Sequence, residues 1–207
     1  FIAGGAGGVG SFALMLARQL GVRRLVTTAG SARSRDHLTR HCGLRDDQIV
    51  DYNESDFVAQ ALRRNSDEFD VALDLVGGRM LSACCDLLAL DGILASCAEG
   101  AGPADVETLF RKNALFHSVG AHAYSLSNDR AMWRRYRNML DGLSASFDAG
   151  ELEPPTICDL GSLCSDVVRR AHGLLDSGAV QGKLVASADA VSATRANRDR
   201  VSTRACQ

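Results

Sequence analysis

Only 3 of the 207 residues are proline, too few for a proline-rich linker or a collagen-like repeat. No stretch approaches 18 uncharged apolar residues, so no membrane-spanning helix is expected. An excess of one charge sign is also missing. Lys and Arg total 23 against 25 Asp and Glu, for a formal net charge of -2. Nucleic-acid binders concentrate positive charge, so that class has no support. The 7 cysteines are odd in number and form no CxxC pair, and no HExxH occurs. Closed zinc sites use short paired spacings, so no metal site is expected within this chain. Free thiols in a reducing, cytoplasmic setting are the expectation. Three catalytic signatures are absent as well. No Gly-Lys-Ser/Thr follows a glycine turn, which excludes an ATP or GTP loop. No GxSxG elbow occurs, which weakens a hydrolase reading. No tyrosine has a lysine four residues later, which argues against the short-chain dehydrogenases.

What is present is a chain with 46% hydrophobic and 23% charged residues, enough for a sizeable core. Strand and helix patterns alternate from residue 1 to about residue 149. Strands are expected at Phe1–Ala3, Arg24–Thr28, Gln48–Tyr52, Val71–Val76, Ile93–Ala98 and 114–120. Helices are expected at Ser11–Leu20, 34–41, Asp56–Arg64, after Gly77-Gly78, at 104–111 and at 129–149. Asp91-Gly92 reads as a turn. Short connections in this order predict an α/β fold: a doubly wound parallel sheet forming a Rossmann domain over 1–149. About six strands are too few for an eight-stranded barrel. Residues 150–186 differ, opening on Pro154-Pro155, and read as the C-terminal end of an incomplete catalytic domain. Residues 187–207 read as a disordered tail. The opening Phe1-Ile2-Ala3 reads as a strand whose beginning is missing, so the chain is expected to be a fragment of something longer.

Gly5-Ala6-Gly7-Gly8-Val9-Gly10 satisfies GxGxxG between a strand pattern and an amphipathic helix, the context that turns a weak motif into a dinucleotide-binding one. In this reading Gly5 permits the tight turn and Gly7 lets the backbone approach a pyrophosphate. Gly10 lets the helix pack on the strand. The free amides of Gly8, Val9 and Gly10 face the anion. The second strand then separates NAD from NADP. An NAD enzyme carries Asp or Glu at its end to hold the ribose hydroxyls. Here Thr28 runs into Ala29-Gly30-Ser31, with Arg33 and Arg35 following. Guanidinium groups and a hydroxyl accept a 2′-phosphate, so NADPH is expected ahead of NADH; the alternative for the two arginines is a solvated loop. Asp74, in an apolar strand, either faces the ligand edge or caps the next helix. Gly77 and Gly78 are expected to let the nicotinamide half pass. His117 reads as a packed or hydrogen-bonded residue. His122 and Tyr124 are candidates for a cleft wall, and Trp133 and Tyr136 read as helix packing.

Taken in order, AGGAGGVG (Ala3–Gly10), DYNESDF (Asp51–Phe57), DLVGG (Asp74–Gly78) and LDSGAVQGKLV (Leu175–Val185) resemble the quinone oxidoreductase-like branch of the medium-chain dehydrogenase/reductases. This branch includes zeta-crystallin-like and zinc-type alcohol dehydrogenase-like proteins. The resemblance implies that Gly7, Gly8, Val9 and Gly10 lie along the pyrophosphate. It implies that the loop from Gly30 to Arg35, with Tyr52, surrounds the 2′-phosphate. Family members often carry a Lys in that loop, where this chain has Ser34 between Arg33 and Arg35. Gly77, Cys97 and Val119–Ala121, with Gly120 at the centre, are implied near the nicotinamide. The implied reaction is hydride transfer to a quinone or to an activated alkene or carbonyl, with a small-molecule substrate. No residue here takes the role of general acid. A homodimer is among the assemblies the resemblance allows. The rival readings are a zinc-dependent alcohol dehydrogenase and a non-catalytic dinucleotide sensor or inactive fragment.

Overall fold

The computed structural model describes residues 1–98, 104–123, 126, 129–178 and 180–188. It divides into two units, Phe1–Glu153 and Pro154–Gln207, the division falling at the proline pair. Tyr124 and most of the expected tail lie outside the described residues.

The first unit is a six-stranded sheet, every neighbouring pair parallel. Its strands are β1 (Ile2–Ala3), β2 (Thr27–Ala29), β3 (Ile49–Asp51), β4 (Phe69–Asp74), β5 (Leu88–Ser96) and β6 (Leu115–Ser118), in the order β3-β2-β1-β4-β5-β6. The crossovers are α1 (Gly8–Gln19), α2 (Ala32–Arg40), α3 (Phe57–Asn65), α4 (Arg79–Leu87) and α5 (Val106–Arg111); α6 (Arg130–Asp148) follows β6. This is the doubly wound Rossmann order.

The apolar strand runs explain why the sheet forms. Phe1 and Ala3 belong to one core cluster, with Val26 and Val50, facing Phe57, Ala61, Met80, Leu81 and Leu87. Ile2 belongs to the opposite cluster, with Leu25 and Ile49, facing Leu14 and Leu38. Successive strand residues point to opposite faces, so a run with no polar alternation is what a sheet covered on both sides requires. Each such Leu or Ile contributes about 1.5–3 kcal/mol on burial.

Some elements differ from the sequence reading. Asp91-Gly92 lies within β5, not between elements. Asp91 takes φ 60° there, and the β4–β5 register is irregular between Phe69 and Val71. β4 is not buried throughout: Val71 is 52% exposed. It pairs with Ile93, which pairs with Leu115, and all three are exposed, because the core cluster on their face is built on β1, β2 and β3. Trp133 and Tyr136 do not pack into a core. α6 buries none of its residues, Trp133 is exposed and its ring stands 6.4 Å from that of Tyr136.

The second unit holds a two-stranded parallel sheet, β7 (Ile157–Ser162) with β8 (Lys183–Ser187), joined through α7 (Ser165–Asp176). Free thiols occur at Cys42, Cys84, Cys85, Cys97 and Cys164, but Cys158 is disulfide-bonded, which corrects the all-thiol expectation. Among the described residues no helix is long and apolar enough to cross a membrane.

Candidate dinucleotide site

Six parallel strands place six carboxyl ends along one edge of the sheet, and chain order reverses direction between β1 and β4. Ligands of such sheets bind at that switch point. The loop after β1 is the glycine turn. Gly4, not Gly5, supplies its left-handed backbone, with φ 82°. Gly5 is needed for a different reason: a Cβ there would lie 2.2 Å from Thr27 Oγ1. That hydroxyl is committed to Ile2 O at 2.6 Å, and Thr28 Oγ1 accepts from Gly4 N at 3.0 Å. A Cβ on Gly10 would lie 2.2 Å from Gly4 O and 2.6 Å from Gly5 Cα, so α1 packs on the turn only with glycine here.

Gly7 is unlike these. A Cβ there would meet nothing nearer than Gly4 O at 3.5 Å, and its φ of -75° suits any residue. Protein packing does not require glycine at this position, whereas a ligand pressed against the backbone does. The first intrahelical amide is that of Ser11, which donates to Gly7 O at 2.8 Å. The amides of Gly8, Val9 and Gly10 therefore keep no acceptor among the described residues, and α1 has no side-chain cap. Three free N–H groups at the positive end of a 12-residue helix form an anion cradle.

Beneath the turn, Ser11 Oγ lies 3.2 Å from His37 Nε2 and 3.4 Å from Gly5 O, tying α2 to the glycine loop. Burial, reinforced by neighbouring His41, pushes the His37 imidazole down to about 4. The folded state thus binds this proton less readily than the unfolded chain, whose histidine titrates near 6.5. The resulting stability is complete above pH 6.5 and is lost as pH falls from there to about 4, on the order of 3 kcal/mol in all. Urea midpoints measured across this window should fall with pH, and His37→Gln should flatten that dependence. An unchanged slope would remove His37 from the account.

The loop after β2 carries Gly30 and Ser31. Ser31 caps α2, its Oγ accepting from Ser34 N at 3.1 Å. Arg33 on the first turn is exposed, with no side-chain partner among the described residues. Arg35 is placed otherwise. Its Nη1 bonds Asp46 Oδ1 at 2.5 Å and its Nη2 bonds Ile49 O at 3.3 Å, so it braces α2 against the turn before β3. The pair is exposed on the Asp46 side and is worth at most about 1 kcal/mol. Arg35→Ala should leave the ratio of NADPH to NADH affinity unchanged; a tenfold fall in that ratio would return Arg35 to the site.

Tyr52, just past β3, lays its ring on Gly30, where a Cβ would come within 2.2 Å of Tyr52 Cζ. Asn53 Nδ2 donates to Gly30 O at 2.9 Å, fastening the β2 and β3 loops together. Arg79, which the sequence reading passed over, has its guanidinium 5.7 Å above the Tyr52 ring and donates to Tyr52 O at 2.8 Å.

Past β4, Asp74 does not cap the next helix, since the N-cap of α4 is Gly78 with no side-chain bond; its carboxylate holds the loop before α4 instead. It is fully buried; its Oδ1 accepts from Val76 N at 3.0 Å and Gly77 N at 2.9 Å, and its Oδ2 from Ser96 Oγ at 2.8 Å. These bonds hold Gly77 at φ 81°. Cys97 follows β5, its amide bonded to Asp74 O, and partial desolvation followed by the Asp74 charge pushes its thiol up. Gly120 follows β6, where among the described residues a Cβ would meet His122 alone, at 3.7 Å. His117 is exposed, not packed, and lines a cleft of about 250 Å³ with Gly120, Met132, Arg135 and Tyr136. Among the described residues no three His, Cys, Asp or Glu side chains stand together to hold a metal ion.

The chain matches the zinc-binding dehydrogenase family over residues 44–185. It is 30% identical over 195 residues to highly reducing polyketide synthase 40 of Fusarium mangiferae, an alignment covering 89% of this chain and 7% of the synthase. A putative zinc-dependent alcohol dehydrogenase of Rhizobium etli CFN 42 superposes with a TM-score of 0.77 at 22% identity, over 91% of this chain and 54% of that one. A putative enoyl reductase domain of a polyketide synthase superposes with a TM-score of 0.59 at 27% identity, over 73% of this chain and 81% of that domain. The chain thus spans about half of the bacterial dehydrogenase and a small part of the synthase. With more than half of its residues matched, on a sheet of Rossmann order, the chain belongs to the zinc-binding dehydrogenase family of the medium-chain dehydrogenase/reductases.

Proposed function

We propose that this chain is the nucleotide-binding part of an NADPH-dependent reductase that delivers hydride to an activated carbon–carbon double bond. The observation that carries this reading is the glycine turn: three free amides beside a Gly7 that packing leaves unconstrained, next to a β2 end without an acid. When bound, the cofactor supplies a hydride from C4 of its nicotinamide to the electron-poor carbon of the acceptor. The chain's own groups bind and orient. Gly8, Val9 and Gly10 amides hold the pyrophosphate, and Ser31 and Arg33 at the start of α2 receive the adenosine phosphate. Tyr52 walls the adenosine side. Gly77 and Gly120 keep the nicotinamide side free of side chains, so that donor and acceptor can approach.

An enoyl acceptor is preferred over a quinone because both the synthase relative and the enoyl reductase domain come from polyketide assembly. The described residues offer zinc no site, and no step here runs through it. The test follows NADPH consumption by the whole reductase that contains this chain, with a crotonyl thioester, a benzoquinone, and an alcohol with NADP⁺ for the reverse direction. Turnover of the thioester ahead of the quinone is the expected result. Turnover of the alcohol alone would favour the alcohol dehydrogenase reading, and cofactor binding without any turnover would favour a sensor.

A further inference from the structure

We propose that Arg79, rather than Arg35, is the guanidinium that reads the 2′-phosphate of NADPH together with Arg33, and so sets cofactor choice; this rests on the NADPH-dependent reading above. Arg79 opens α4 directly after Gly77 and Gly78, both with positive φ. The chain there turns so that the Arg79 side chain reaches the end of β3. One of its five N–H donors is used on Tyr52 O, and the guanidinium stands over the Tyr52 ring. The ring in turn lies on Gly30, at the start of the loop that carries Ser31 and Arg33. Three loops from three different strand ends therefore converge on one corner: Gly30 admits Tyr52, and Tyr52 positions Arg79. The other donors of Arg79 have no acceptor among the described residues, and the residue is exposed. Of the acids in the loop after β3, Asp51 turns its Oδ1 to Asn53, accepting from the Asn53 N and Nδ2 at 2.9 Å each, and Asp56 is engaged by Gln60 and Arg63. A planar fork held by a ring and a carbonyl, with its remaining donors open to solvent, is built to receive a dianionic phosphate. Arg35 has spent its fork on Asp46 and Ile49 O and lacks that freedom.

The test is a set of dissociation constants for NADPH and NADH, measured on the full chain and its Arg79→Met, Arg79→Lys and Arg33→Ala variants. Met keeps the length and loses the donors; NADH affinity serves as the check on folding. Arg79→Met is expected to weaken NADPH by about 10- to 100-fold, the span of a charge-assisted bond, with NADH changed less than about twofold. Arg79→Lys is expected to fall between. Equal weakening of both cofactors would mean that Arg79 only holds the Tyr52 loop, and would overturn the proposal. So would an NADPH preference that survives Arg79→Met, most plainly if Arg33→Ala abolishes it. A wild-type chain that binds NADH as tightly as NADPH would overturn the NADPH reading itself, a result distinct from either of these.

Discussion

Gly10→Ala is expected to destabilise the chain by about 3 kcal/mol, while Gly7→Ala, three residues earlier, should change stability by less than about 1 kcal/mol. The difference lies in what the added methyl meets. At Gly10 it would overlap Gly4 O at 2.2 Å and Gly5 Cα at 2.6 Å, both backbone atoms of the turn. Neither can yield without opening the contact between α1 and β1, and overpacking of this kind costs 1–3 kcal/mol or more. At Gly7 the nearest atom is 3.5 Å away and φ is -75°, so alanine fits, and the loss as a helix cap is offset by reduced freedom of the unfolded chain. Binding should follow a different order. Gly7→Ala places its methyl where the pyrophosphate approaches, and dinucleotide affinity should fall at least about tenfold with the fold intact. Urea midpoints and a dinucleotide titration on the same two variants separate the effects. Gly7→Ala binding as well as wild type would show that the turn is structural only.

The second large effect is expected at Asp74. Asp74→Ala removes one acceptor group and leaves three donors without it, the buried Gly77 N and Ser96 Oγ and the part-buried Val76 N. An unsatisfied buried donor costs about 1–3 kcal/mol, so a total loss of about 4 kcal/mol is expected even if water reaches part of the cavity. Asp74→Asn keeps one carbonyl for the two amides and turns an NH₂ to the Ser96 hydroxyl, which can accept; its cost should be about 1–2 kcal/mol. Chemical denaturation of the two variants checks the ranking. Equal losses would mean that the carboxylate charge, not the count of acceptors, is what the loop needs.

The fold was legible in the sequence because strands buried on both faces must be apolar throughout, and Phe1-Ile2-Ala3, Leu25-Val26 and Ile49-Val50 satisfy that while each intervening segment has helical spacing. The glycine turn was legible because its three functions fall within six residues. Its internal division of labour was not. Only the backbone path shows that Gly4 makes the turn and that Gly5 makes room for Thr27. The cations were harder. Arg33 and Arg35 look equivalent in sequence, and Arg35 is diverted by Asp46, an acid 11 residues later whose position depends on the turn before β3. Arg79 and Tyr52 stand 27 residues apart and meet because their strand ends share one sheet edge, a relation that local spacing does not carry. Edge effects were invisible for a similar reason. Val71, Ile93 and Leu115 have the composition of core residues, and their exposure follows from which strands α1 and α2 cover.

The central claim is that the amides at the start of α1 hold the pyrophosphate of a nicotinamide dinucleotide. Its most direct test is amide-resolved: backbone ¹H–¹⁵N spectra of the full chain titrated with NADPH. The largest shifts are predicted at Gly8, Val9 and Gly10, with a second group at Gly30, Ser31 and Tyr52. Saturable shifts confined to other surfaces, with the Gly8–Gly10 amides unmoved, would contradict the account.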